Sequence, residues 1–260
     1  GASSLGNAVT RFAGRLRSSA HSLEAGAVDS FVKTWEMQHK LRVCNAYAYV
    51  ATLSVTREKE DLTGSDPLAY KECRDFETRL TEGDRLEFSI GSTGAGTFEI
   101  NALPPNEAVL MLIVTRHDTL STAMAFRSHI FAHVLHAQIA VIDAFQGRSE
   151  STPKISSKNS AQSEELRFDS VVAVNQGIYE VALQSYEGSV GPKVDLVALN
   201  RECYVMLRVG VDAQEGPSYK EELVIWPRSS VLSLMSGACP SSHRLGVWIV
   251  LAAATLRGFF

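Results

Sequence analysis

The sequence predicts a mainly β protein: two tandem antiparallel β-sandwich-like repeats, with an N-terminal helical segment and a short hydrophobic C-terminal tail. Three observations predict it. Short alternating stretches rich in β-branched and aromatic residues are separated by turn signals. The same kinds of element recur in the same order at an offset of roughly 95 residues. Residues 245–256 are uncharged and apolar. These signals divide the chain into an amphipathic helical segment (1–40), a first β repeat (41–118), a connector (119–136), a second β repeat (137–228) and the hydrophobic tail (229–260).

Residues 1–23 carry Arg11, Arg15, Arg17 and several serines but no acid, with Leu5, Val9, Phe12 and Leu16 at helical spacing. Arg- and Ser-rich, acid-poor amphipathic sequence is typical of organelle-targeting segments, and equally of a short helix docking on a partner or membrane. Val28, Phe31, Val32 and Trp35 then make one apolar helical stripe. From Leu41 the texture turns to strands. Val43, Asn45, Tyr47 and Tyr49 alternate, followed by Leu53 and Val55. Leu86 to Ile90 and Thr97 to Ile100 flank the glycines Gly91, Gly94 and Gly96, which predicts a hairpin. Val109 to Val114 is a continuous apolar run, suited to a strand buried on both faces. In the connector Phe126, Ile130 and Leu135 fit neither period cleanly, so a helix and a pair of strands both remain open.

The second half follows the same plan. Residues 137–145 match 41–49, each holding a small residue before an aromatic, Ala46-Tyr47 and Ala144-Phe145. The polar stretch 146–165 corresponds to 56–67, and Leu166-Arg167-Phe168 to Leu68-Ala69-Tyr70. Gly177 feeds an alternating strand as Gly83 does, and Tyr204 to Val209 echoes Val109 to Val114. A last strand, Glu222 to Ile225, ends at Trp226-Pro227.

Length settles much about the tail. Twelve residues of helix reach only ~18 Å, against a hydrocarbon core of ~30 Å. Extension to Phe260 brings ~24 Å, with Arg257 snorkelling. A half-inserted anchor, a segment between partner subunits or a buried final element all fit better than a full span. Ser236-Gly237-Ala238 before the apolar run also allows a lipid-anchor signal.

The 260 residues suffice for one large domain or two ordinary ones, and 45% apolar with 21% charged content is that of a globular chain. A net charge of −4 supplies no electrostatic footprint for nucleic acid, so no nucleic-acid partner is expected. The cysteines Cys44, Cys73, Cys203 and Cys239 form no C-x-x-C pair and no zinc spacing. Cys44 and Cys73 lie in one repeat beside strand-like sequence, so they are disulfide candidates in an oxidising space; two buried free thiols are the alternative.

No catalytic signature is found, and no enzyme activity or cofactor is expected. His129, His133 and His136 sit at i, i+4 and i+7, which on a helix would align three imidazoles as metal ligands. No acid lies within residues 128–140 to complete such a site. Gly91-x-x-Gly94-x-Gly96 follows a strand as a phosphate loop does, but the sequence after it is strand-like and offers no helix N-terminus. Arg116-His117-Asp118 places a base beside an acid at a strand end, without a nucleophile elbow, and reads as a polar turn. The acids Glu58, Glu60, Asp61, Glu164 and Glu165 read as solvated loops.

Residues 137–211, through Gly177-Ile178-Tyr179-Glu180-Val181 and Tyr204 to Gly210, resemble small β-sandwich domains of unknown function from secreted and surface proteins. That resemblance implies a sandwich and no activity. In its whole arrangement of leader, tandem β head and apolar tail, the chain is similar in style to luminal accessory subunits of photosystems in secondary-plastid algae. This second resemblance implies a membrane-associated organelle location, the luminal side of the plastid thylakoid, with a secreted or cell-surface location as the alternative. The expected function is that of a non-enzymatic scaffold subunit of a membrane-protein complex such as a photosystem–antenna supercomplex. Its partners would be other subunits, with membrane contact through the tail. Trp35, Trp248, Phe259 and Phe260 are the candidate interface anchors. A ligand- or carbohydrate-binding surface module is the alternative, and an uncharacterised enzyme the third.

Overall fold

The computed structural model describes residues 39–91, 94–132, 135–185 and 189–236. Within them the chain forms two β-sandwiches of identical strand plan. The first contains β1 (His39–Asn45), β2 (Leu53–Arg57), β3 (Glu60–Asp61), β4 (Cys73–Phe76), β5 (Arg85–Ile90), β6 (Gly94–Glu99), β7 (Ala108–Arg116) and β8 (Met124–Ala132). The second contains β9 (Ala137–Asp143), β10 (Ser151–Ser157), β11 (Ser163–Glu165), β12 (Ser170–Val174), β13 (Gly177–Ser185), β14 (Val190–Ala198), β15 (Cys203–Val211) and β16 (Tyr219–Trp226). A single turn of helix, α1 (Val231–Ser236), follows.

The sheets of the first sandwich are ordered β4-β1-β7-β8 and β3-β2-β5-β6; those of the second are β12-β9-β15-β16 and β11-β10-β13-β14. Adding eight to each strand number of the first reproduces the second. The duplication inferred from order and spacing is therefore present as topology. One feature departs from the purely antiparallel expectation. β1 pairs with β7 in parallel, Leu41 opposite Leu110, and β9 pairs with β15 in parallel, Ile139 opposite Tyr204. A parallel pair needs a long crossover, and here the rest of the sandwich supplies it.

Alternation assigns the two faces of each sheet. Leu41, Val43, Leu110, Leu112 and Val114 point into the first sandwich against Leu53, Val55, Leu86, Phe88 and Ile90 of the facing sheet. Ile139, Val141, Tyr204 and Met206 pack in the same way against Ile155, Val181, Leu183 and Leu196. The opposite faces of β1, β7, β9 and β15 are apolar too. Cys44, Met111, Ile113 and Phe131 meet Ala140, Ile142, Val205, Leu207 and Val209 in a third core. The two sandwiches thus stack back to back through their β1/β7 and β9/β15 sheets. This is why residues 109–114 and 204–209 are apolar without interruption: each strand has a core on both sides. Burying one such Leu, Ile or Val side chain contributes ~1.5–3 kcal/mol, so the third core couples the sandwiches strongly.

Half of the segment assigned as a connector, 119–136, is strand. Residues 124–132 form β8, the edge strand beside β7, with Leu110 opposite Ile130 and Val114 opposite Phe126. Periodicity failed to show this because the inward residues Met124, Phe126, Ser128 and Ile130 include a serine, while the other face carries His129 and a buried Phe131. β1 begins at His39, inside the segment assigned to the N-terminal helix, and the first residues of the tail region make α1. The remainder of 1–40 and of 229–260 lies outside the described residues. Among the described residues no helix is long and apolar enough to cross a membrane.

Candidate functional site

A buried polar cluster sits where the two sandwiches meet. Arg42 occupies the middle of β1 on the face turned to the second sandwich, and only 2% of it is exposed. Its guanidinium forks onto Asp75 of β4, Nε to Oδ1 at 2.8 Å and Nη2 to Oδ2 at 3.0 Å. Nη1 donates to the Cys203 carbonyl, Glu202 lies 3.8 Å away, and the Trp226 ring stacks beneath at 4.3 Å. One cation therefore ties a strand of the first sandwich to the start of β15 and the end of β16. Burial raises the Glu202 pKa, an effect that Arg42 only partly offsets. Around this cluster Lys71 bonds Glu222 at 3.0 Å, Arg127 bonds Asp169 at 3.0 Å, and the Tyr70 and Tyr219 rings meet edge to face at 5.4 Å.

A second arrangement appears in each sandwich, with the Asx turn at the same place and the arginine at a different register: Asn45 stands opposite Val114, whereas Asp143 stands opposite Arg208. Asn45 and Asp143 end β1 and β9, and each accepts the backbone N–H two residues on, from Tyr47 at 3.1 Å and Phe145 at 3.0 Å. A buried arginine lies over each aromatic ring, Arg116 at 6.0 Å from Tyr47 and Arg208 at 4.5 Å from Phe145. Arg208 is fully matched, bonding Asp143 at 3.0 Å and Glu221 at 2.6 Å. Arg116 donates to the Ser121 carbonyl at 2.8 Å, and its buried Nε has no hydrogen-bond partner among the described residues.

The residues singled out from sequence fall in scattered places. Cys44 and Cys73 stand directly opposite each other on β1 and β4 and are joined by a disulfide. Cys203 is a free, half-buried thiol whose pKa is pushed up to about 11, chiefly by burial, so it is not an activated nucleophile. His117 and Asp118 bond each other at 2.9 Å on the exposed β7–β8 turn. Asp118 also accepts the N–H groups of Leu120 and Ser121. The Ser121 N–H first, and then His117, hold its carboxyl well below the usual range, which leaves a turn-capping group rather than a general base.

His129 lies on β8, edge to face with Phe131 at 4.9 Å, and burial lowers its pKa. His136 is exposed beyond the strand, and His133 lies outside the described residues. His129 lies on an extended strand rather than a helix, and among the described residues no group of three His, Cys, Asp or Glu side chains is placed to hold a metal. Gly94 and Gly96 lie within β6, so the glycine triplet belongs to a hairpin rather than a phosphate loop. Glu60 and Asp61 form β3, and Asp61 caps the turn at Thr63 and Gly64; Glu164 and Glu165 lie on β11. Trp35, Trp248, Phe259 and Phe260 lie outside the described residues.

Sequence reasoning missed Arg42, Arg208 and α1. A charged residue inside the apolar strands Leu41-Arg42-Val43 and Leu207-Arg208-Val209 was the available signal for the first two. α1 presents Leu232 and Met235 to solvent, 78% and 80% exposed, and Val50, Leu120 and Leu135 are exposed on loops. The polar clusters can hold two sandwiches together, and the exposed aliphatic side chains can receive an apolar partner surface. No protein-family model matches the chain, and no curated protein matches it.

Proposed function

We propose that this chain is a non-enzymatic scaffold subunit of a membrane-protein complex, acting by burial of apolar surface rather than by chemistry. The observation that carries this reading is α1. A short helix at the end of the second sandwich exposes most of Leu232 and Met235, eight residues before the stretch in which residues 245–256 are apolar in sequence. Isolated exposed aliphatics are ordinary, but two on one turn leading into an apolar segment favour a docking element. The back-to-back sandwiches supply a body on which such an element is held at a set place. A photosystem–antenna assembly in the plastid is the particular complex that the style of the chain suggests.

The carbohydrate-binding alternative draws less support. Sugar recognition relies on exposed aromatic faces, whereas the large exposed apolar side chains among the described residues are Val, Leu and Met. The test is affinity capture of the tagged full-length chain from mildly solubilised native membranes, beside the double variant Leu232→Glu with Met235→Glu. Capture of a defined set of membrane proteins by the wild type, reduced at least tenfold in the variant, supports the scaffold. Equal capture by both, or none by either, removes it.

A further inference from the structure

We propose that the seam between β14 and β16 binds a small amphipathic anion, a carboxylate carried on an aliphatic body. These two strands are the edges of the two sheets of the second sandwich, and a cavity of about 520 Å³ opens between them. Small-molecule sites commonly run from roughly 300 to 1,000 Å³, with apolar walls and few polar groups. Val194, Leu196, Ile225 and Pro227 wall this one. Leu196 and Ile225 are buried and belong to the core, so the walls are held in place.

The charged groups on the lining decide the class of ligand. Lys193 is bonded to Glu180 at 3.1 Å, and Asp195 to Lys158 at 2.7 Å. The Ser229 hydroxyl is engaged by the Tyr204 hydroxyl at 2.9 Å, which also bonds the Val197 carbonyl and the Leu199 N–H, both at 3.0 Å. Arg228 is exposed and has no hydrogen-bond or ion-pair partner among the described residues. The lining thus has one uncommitted charged group, and it is a planar cation suited to a carboxylate fork. An apolar body would lie along Val194 and Pro227 with its head group at Arg228.

The duplication offers an internal contrast. In the first sandwich the space between the corresponding edges, β6 and β8, is occupied by Phe126. Its ring packs at 5.0 Å on Phe88 and 6.1 Å on Phe98, and a Cβ on Gly96 would come within 2.6 Å of it. The same plan therefore fills one seam with an aromatic ring and leaves at the other a hollow with aliphatic walls and a free guanidinium on its lining.

This inference is independent of the scaffold reading. It is tested by isothermal titration of the full-length chain with octanoate and, separately, with 1-octanol. Saturable binding of octanoate at one site is expected, at least tenfold weaker in Arg228→Glu and lost in Val194→Trp, with 1-octanol at least tenfold weaker than octanoate. Both substitutions are at exposed or half-buried positions, and circular dichroism checks the fold; if Val194→Trp does not fold, Arg228→Glu decides. Absence of saturable octanoate binding, full affinity retained in a folded variant, or equal affinity for octanol overturns the proposal.

Discussion

Arg116 and Arg208 are both buried near an aromatic ring of their own sandwich, and among the described residues Arg208 alone of the two has carboxylate partners. Removing one member of a buried ion pair is costly because it strands the partners. Arg208→Met, which leaves Asp143 and Glu221 without their cation, is expected to lower stability by about 3 kcal/mol. Arg116→Met strands no carboxylate and relieves a buried Nε without a partner, so it should cost much less. Urea unfolding of both variants checks the contrast, and equal losses would argue against it. Glu202 supplies a pH signature. Its pKa is raised in the folded state, mainly by burial, so its contribution favours folding below its ordinary range and is lost as pH rises through the raised value. Glu202→Gln should therefore be at least as stable as the wild type at pH 7, with the difference shrinking as the pH falls below that range. A variant markedly less stable at pH 7 would show that the attraction to Arg42 outweighs desolvation.

Individual elements carry the stability that binds each sandwich. The Cys44–Cys73 disulfide links opposed positions on β1 and β4 across a sequence separation of 29. Loop-closure entropy for such a bridge is about 3.5 kcal/mol, so the Cys44→Ala with Cys73→Ala pair should lose stability of that order. At Gly96 a side chain would meet Phe126 and Met124. Gly96→Val should push β6 from β8 and cost about 1–3 kcal/mol, read as a lowered unfolding midpoint. Gly210 has φ +133° and lies against the Lys220 carbonyl at the β15–β16 register shift, so it too resists substitution.

Much at this scale was legible in the sequence. The β5–β6 hairpin, the doubly buried β7 and the pairing of residues 137–145 with 41–49 all follow from period and turn residues. β8 was not, because an inward Ser128 and a buried Phe131 on the other face blur its alternation. β10 was not either: its inward residues are Pro153 and Ile155 among serines and a lysine, and it reads as loop. Of the site residues, the cysteine pair was legible as proximity in one repeat. The roles of Arg42 and Arg228 depend on partners more than 150 residues away or on a cavity, and local pattern carries neither.

At the largest scale, the described residues form a stack of four sheets in which the inner two share a core. The third core together with Arg42 holds the two sandwiches in a constant relation, as the proposed scaffold role requires. The same core explains why neither sandwich is expected to be self-sufficient. Separated, the first would expose Met111, Ile113 and Phe131, and the second Val205, Leu207 and Val209. Native-state hydrogen exchange on the full-length chain, read by mass spectrometry, tests this most directly. The amides of β1, β7, β9 and β15 should be the best protected and should exchange at a common rate set by global unfolding. Rapid exchange of β9 and β15 while β1 and β7 stay protected, or the reverse, would contradict a single shared body.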